Sequence, residues 1–339
     1  MKDVAQRAGV SLMTVSRVLN NTATVKPDTR KRVEAAVEAL RYRPNLGARR
    51  LAGGRSMFVG LLYHNPSPGY LSKILKGGLD ACRVHGHRLV LEDFSQSTPY
   101  QNPELSVEAL NLGDLDGLIV TPPLSVHQPF MDVLAKAGLP VVSIAPSDPS
   151  QSGLSVAMDD AQAMEEMVGF LAGRGHERIA FVGGPDNHAA SHHRRDGFLR
   201  GMRINNRAAP SMLFRDGDFT YRSGLVAGQS LLSAPNRPSA IVAANDDMAA
   251  GVIGAAHMLG LRVPQGVSVV GFDDTEIATT IFPELTTVRQ PISAMAYKAV
   301  SLLNAYLQGD GKGVTAHSQN LPFEIIVRAS VGTPADRRD

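Results

Sequence analysis

The stretch VSLMTVSRVLNN, residues 10–21, sets Val15, Val18 and Leu19 at i, i+3 and i+4, the spacing of one helix face. Met13, Ser16, Arg17 and Asn20 point away from that face, and Leu12 lies at its edge. Ser11 is placed to cap the helix, and Val10 to pack on Val15 as a hydrophobic staple. Upstream, KDVAQRAG carries Val4, Ala5 and Ala8 at helical spacing, and Gly9 supplies the left-handed residue that ends a helix and turns the chain. Downstream, Pro27 suits a first helical position, Val33, Ala36, Val37 and Leu40 form an apolar stripe, and Pro44 stops it. The pattern predicts three short helices, the first two joined by a tight turn.

From about 57 to 330 the pattern changes. Near-continuous apolar runs, FVGLL, RLVLE, GLIVT, PVVSIA, RIAFVGG, AIVAAN and VSVVGFDD, alternate with helix-length patterns such as DDAQAMEEMVGFLAGRG and DMAAGVIGAAHMLG. Runs of Val, Ile and Leu separated by helices mean parallel sheet covered on both faces. The expected organisation is a small all-α helix-turn-helix head at 1–44, a linker at 45–56, a doubly wound α/β body at 57–330 and a tail at 331–339.

Charge changes what the head is for. Residues 1–55 hold twelve Lys and Arg against four Asp and Glu, a net +8, which leaves −6 for the rest of a chain whose total is +2. A basic helix-turn-helix on an acidic body points to double-stranded DNA. The second helix then enters the major groove, with Leu12, Met13 and Arg17 offered to base edges and Thr14, Ser16 and Asn20 to phosphates or bases. In the linker NLGARRLAGGRS, Ala48 to Ala52 has the length of one helical turn between Gly47 and the Gly53-Gly54 pair. Isolated helices this short are unstable in water, so the linker folds only when held.

In the body, ligands are expected outside the carboxyl ends of the strands. Tyr70 follows the first run, HAASHHRRDGF follows RIAFVGGP, Phe219 follows LFRDGD, Asn245 follows AIVAA and Asp273 follows VVGF. Such a set can grip hydroxyls or a carboxylate and stack an aromatic on an apolar sugar face.

KDVAQRAGVSLMTVSRVLNN, TRKRVEAAVEALRYRPN and ARRLAGGRS resemble the DNA-binding head and hinge of the LacI/GalR family of bacterial repressors, and the resemblance continues through most of the chain. It implies a hinge that folds on operator DNA, with Leu51 wedging into the minor groove at the dyad. It implies effector contacts from Arg194, Phe219, Asn245 and Asp273, from Tyr70 as in some members, and from His188 and Ser191 at positions that vary with the effector. It also implies two lobes like those of periplasmic sugar-binding proteins, crossed three times, at about 57–156 plus 288–317 and 157–287 plus 318–330.

Other constellations are read as structural. His188, His192 and His193 lie beside two Arg and lack a completing ligand cluster, so no metal or other cofactor is expected. The pairs Asp159-Asp160, Asp246-Asp247 and Asp273-Asp274 stand near strand ends and read as helix caps or ligand contacts rather than acid–base pairs. GGP at 183–185 lacks the Lys-Ser/Thr of a phosphate loop, and the single cysteine, Cys82, reads as a core residue. No secretory signal or membrane-spanning run is seen, which predicts a cytoplasmic protein, and the absence of a closing heptad helix predicts a homodimer. The expected function is a ligand-responsive regulator of a palindromic operator, a repressor released by a sugar. The alternatives are a purine- or nucleoside-responsive corepressor-type regulator and, in another class, a cytoplasmic sugar-binding protein or sugar enzyme.

Overall fold

The computed structural model describes residues 2–20, 25–40, 56–94, 102–108, 110, 112–148, 152–309 and 318–334. The chain divides into two compact units, Met1–Met57 and Phe58–Asp339.

The first unit contains α1 (Lys2–Ala8), α2 (Leu12–Asn20) and α3 (Pro27–Ala39). Gly9 sits at φ 63°, the left-handed turn between α1 and α2. Ser11 Oγ accepts the Thr14 N–H at 3.2 Å, closing the expected cap. Val4, Ala5, Ala8, Val15, Val18, Val33 and Ala36 form the core, with Val10, Val25 and Val37 packed on it. Leu40 departs from the predicted stripe: α3 ends one residue before it, and its side chain is 38% exposed. The side chain of Leu19, Pro44 and residues 45–55 of the expected 45–56 linker lie outside the described residues.

The second unit holds two six-stranded sheets. The first runs β11-β5-β4-β3-β1-β2 and the second β12-β10-β9-β8-β6-β7. In chain order the elements of the first are β1 (Phe58–Tyr63), α4 (Pro68–His85), β2 (Arg88–Asp93), α5 (Pro103–Glu108), β3 (Gly117–Val120), α6 (Gln128–Lys136), β4 (Val141–Ile144) and β5 (Leu154–Ala157). The second continues with α7 (Asp160–Ala172), β6 (Ile179–Gly183), α8 (Ala189–Ile204), β7 (Phe214–Asp216), α9 (Tyr221–Leu232) and β8 (Ala240–Ala243). It ends with α10 (Asp246–Met258), β9 (Ser268–Phe272), α11 (Ile277–Thr280) and β10 (Thr286–Arg289). Then come α12 (Ile292–Gln308), β11 (Ser318–Asn320) and β12 (Glu324–Ile326). Among the described residues all ladders are parallel except β10 with β12.

The seven apolar runs become β1, β2, β3, β4, β6, β8 and β9. In each sheet the order turns back beside the first-formed strand, so β1 and β3, like β6 and β8, flank a switch point where a crevice opens at the strands' carboxyl ends. Cys82 is buried in α4, and burial pushes its thiol up to about 11, which suits a core residue.

Two of the expected lobe limits shift. Residues 288–289 complete β10 of the second sheet, so the chain crosses after Arg289. Ser318–Asn320 pairs with β5 of the first sheet, so the last crossing lies between Asn320 and Glu324 rather than at 317/318. Strand β11 reads SQN and has no apolar residue, an edge strand paired with β5, so no hydrophobic pattern announces it.

Candidate functional site

On α2 the predicted outward side is outward. Leu12 is 45% and Met13 64% exposed, and Arg17 is exposed, while Val15 and Val18 are buried. Thr14 is half-buried and its hydroxyl lies 2.9 Å from that of Ser11, so the cap engages it. The side chains of Ser16 and Asn20, and all of Leu51, lie outside the described residues. Two large apolar groups held in water beside an exposed Arg do nothing for the core, and fit contact with base edges and thymine methyls.

The second unit has a cavity of about 420 Å³ at the carboxyl ends of the strands of both sheets. Tyr70, His188, Arg194, Phe219, Asn245 and Asp273 line it, all predicted. Asp160, expected only as a helix cap or ligand contact, lines it too, as do Asn65, Ser67 and Gln290, which no sequence pattern assigned. Ser191 is not brought among them: its buried hydroxyl turns toward Gly184 and borders a neighbouring cavity of about 290 Å³ with Asp186, Arg195 and Asp216. One turn before Arg194 on α8, it is rotated to one side of the cavity-facing line.

Arg194 organises the floor. Its Nε donates to Asp160 Oδ1 at 2.7 Å, its Nη1 to the Ala244 carbonyl at 2.6 Å, and its Nη2 lies 3.7 Å from Asp273 Oδ1. The guanidinium stacks 3.7 Å from the Phe272 ring centroid. Burial works against the charged form, but Asp160 and Asp273 outweigh it and hold the Arg194 pKa above its ordinary value. Burial lifts Asp273 well above the usual carboxylate range, with Arg194 opposing. Asp273 Oδ1 and Gln290 Oε1 are buried without a hydrogen-bond partner. Each is an acceptor waiting for a donor.

The walls are aromatic and strained. Phe219 sits at φ 66°, Asp273 at 106° and Asp274 at 51°. Non-glycine residues there cost about 1–3 kcal/mol each, and such strain concentrates at ligand clamps. Asn245 is spent on holding this wall: its Nδ2 donates to the Phe219 carbonyl at 2.9 Å and its Oδ1 accepts the Met248 N–H at 2.9 Å, capping α10. The His188 ring meets Phe219 edge-on, centroids 5.1 Å apart. Burial pushes its imidazole down to about 3, with Arg194 and His64 adding to the fall, so His188 is neutral at pH 7.

The acidic pairs split into separate tasks. Asp159 caps α7 through the Gln162 N–H at 2.8 Å, while Asp160 holds Arg194. Asp246 accepts the Thr275 N–H at 2.7 Å and the Thr287 hydroxyl at 2.6 Å, and Asp247 accepts the Ser67 hydroxyl at 2.6 Å. Among the described residues no group of three or more His, Cys, Asp or Glu is arranged to hold a metal ion, and no helix is long and apolar enough to cross a membrane.

Residues 1–45 match the family model for bacterial regulatory proteins of the lacI family, and residues 168–331 match that for the periplasmic binding protein-like domain. Catabolite control protein A of Priestia megaterium is 34% identical over 333 residues, covering 97% of this chain and 98% of the relative. The chain belongs to the LacI family. The Lac repressor dimer bound to operator and the anti-inducer ONPF superposes with a TM-score of 0.78 at 30% identity, covering 97% of this chain and 98% of that one. The regulator CelR in complex with cellobiose superposes at 0.71 and 28% identity, with the same coverage. As a LacI-family member the protein is a ligand-responsive transcriptional regulator rather than an enzyme.

Proposed function

We propose that the protein is a cytoplasmic, homodimeric repressor that reads a palindromic operator with two copies of α2 and is released by a sugar. The observation that carries the sugar reading is the chemistry of the cavity. Its one cation among the described lining residues, Arg194, is already bound to Asp160 and faces Asp273, which leaves acceptors rather than a free positive charge for the ligand. Asp273 Oδ1 and Gln290 Oε1 are placed to accept from hydroxyls, while Tyr70 and Phe219 supply faces for an apolar ring edge. Cellobiose in the CelR complex is a ligand of this kind. Leu51, outside the described residues, is assigned to the minor-groove wedge on the family resemblance. Effector and operator then compete through the state each prefers, with coupling of about 1–3 kcal/mol.

Crossed substitutions test the assignment. Arg17→Ala is expected to weaken specific operator binding by about 1–3 kcal/mol while leaving effector affinity unchanged. Asp273→Ala should leave operator binding intact and remove the heat of sugar binding in calorimetric titration, because it deletes an acceptor buried in the cavity. Titration of a panel of mono- and disaccharides with nucleosides included selects the effector. Heat from a nucleoside alone would overturn the sugar reading, and equal loss of both activities in either folded variant would overturn the division of roles.

A further inference from the structure

We propose that Lys73 is a positioning residue that ties closure of the two lobes to the aim of the Asp273 carboxylate. Lys73 rides on α4 of the first lobe, half-buried, and its Nζ donates across the cleft to the backbone carbonyls of Asp273, at 3.3 Å, and of Asp274. These two consecutive residues are both at positive φ. A turn of this kind persists only while its surroundings over-determine it.

The other restraints on the turn come from the second lobe. The Asp273 N–H donates to the Val288 carbonyl at 2.8 Å. The Asp274 carboxylate takes Arg289 at 2.7 Å and Arg328 at 2.6 Å, and the Thr275 N–H reaches Asp246 at 2.7 Å. None of those four bonds spans the lobes. The Lys73 bonds do, alongside Ser67 to Asp247 at 2.6 Å.

Lys73 has a firm base. The Ser293 hydroxyl at the start of α12 donates to the Lys73 carbonyl at 2.9 Å. One turn on, Gly77 faces the Ser293 backbone so closely that a Cβ would collide with it, which presses α4 against α12. Gly69, at the other end, abuts Thr275: a Cβ there would stand 2.8 Å from the Thr275 Cβ. The helix is thus braced on its own lobe and touches the strained turn of the other. When the lobes part, the ammonium leaves with α4, and the two carbonyls lose their charge-assisted donor. The turn then has fewer restraints in the open state than in the closed one, so closure favours the backbone that points Asp273 into the cavity. The consequence for effector binding rests on the cavity reading above, but the tether itself does not.

Site-resolved hydrogen exchange on the full-length protein, with neither DNA nor sugar added, tests it. Lys73→Met is expected to speed exchange of the Asp273 and Thr275 amides by about tenfold or more while β6 and β8 keep their rates. Lys73→Arg, which retains the charge, should return the turn to within about threefold of the unaltered protein. Exchange in Lys73→Met at the original rate would overturn the proposal. So would Lys73→Arg exchanging as fast as Lys73→Met, or a uniform acceleration through the second lobe. Because no ligand or operator enters the measurement, each of these outcomes leaves the repressor assignment standing.

Discussion

Arg194→Met is expected to destabilise the ligand-binding unit by about 3–5 kcal/mol, the usual cost of stripping one partner from a buried ion pair. The methionine keeps most of the stem, so the loss is electrostatic more than steric. What remains is Asp160, 4% exposed, and Asp273, 4% exposed, facing the space the guanidinium held, together with an Ala244 carbonyl that has lost its donor. Urea unfolding should show the midpoint falling while the slope holds. The charge argument makes a second demand. Adding Asp160→Asn to Arg194→Met removes one uncompensated carboxylate, so the double variant should recover part of the loss, and the two changes should be strongly non-additive. A loss under about 1 kcal/mol, or strict additivity, would mean that the Phe272 stack and not the carboxylates fixes Arg194.

The head was legible because each of its devices is local. The Ser11 cap, the left-handed Gly9 and the Val15 and Val18 stripe each depend on residues within one turn. The body's alternation was legible because a strand covered on both faces must be apolar throughout, as β6 and β8 are. Of the strands that escaped, β10 and β11 lack that mark, and β5 is only four residues long. Strand β10 reads TTVR and buries Thr286 and Thr287, whose hydroxyls are paid for by tertiary partners, and β11 is wholly polar.

The site followed the same division. Tyr70, Asn245 and Asp273 follow strands that the apolar runs announced, so topology located them, whereas Phe219 follows the short β7 that no apolar run marks. Gln290 stands just past β10, and without that strand it had no address. Asp160 looked like half of a helix-start pair. Only Arg194, in space rather than in sequence, separates it from the true cap Asp159. Asn245 shows the reverse limit: its position was readable, but its amide is occupied by Phe219 and Met248, a role that no spacing reveals.

Asp246→Asn is expected to flatten the pH dependence of stability between about pH 4 and pH 7. Burial pushes the Asp246 carboxyl up to about 7 from an ordinary 3.8. Its bonds from Thr287 and Thr275 oppose the rise and Asp274 adds to it, while Asp273 and Asp247 complete the acidic surroundings. The native state therefore holds a proton that the unfolded chain releases between these two values. The stabilisation is fully present below about pH 4 and is lost as pH rises to 7, a span of about three units or about 4 kcal/mol at 1.36 kcal/mol per unit. Asparagine has the carboxyl's shape without its titration. Its carbonyl oxygen can accept from Thr275, its amide can donate to the Thr287 oxygen, and the Thr287 hydroxyl can turn to the Val288 carbonyl now 3.5 Å away. Carboxylates remote from Asp246 titrate alike in both proteins, so the informative quantity is the stability of the variant minus that of the original at each pH. It should move in the variant's favour by about 4 kcal/mol from pH 4 to pH 8. A difference that stays constant over that range would mean that Asp246 is ionised throughout, its charge carried by the two threonines alone.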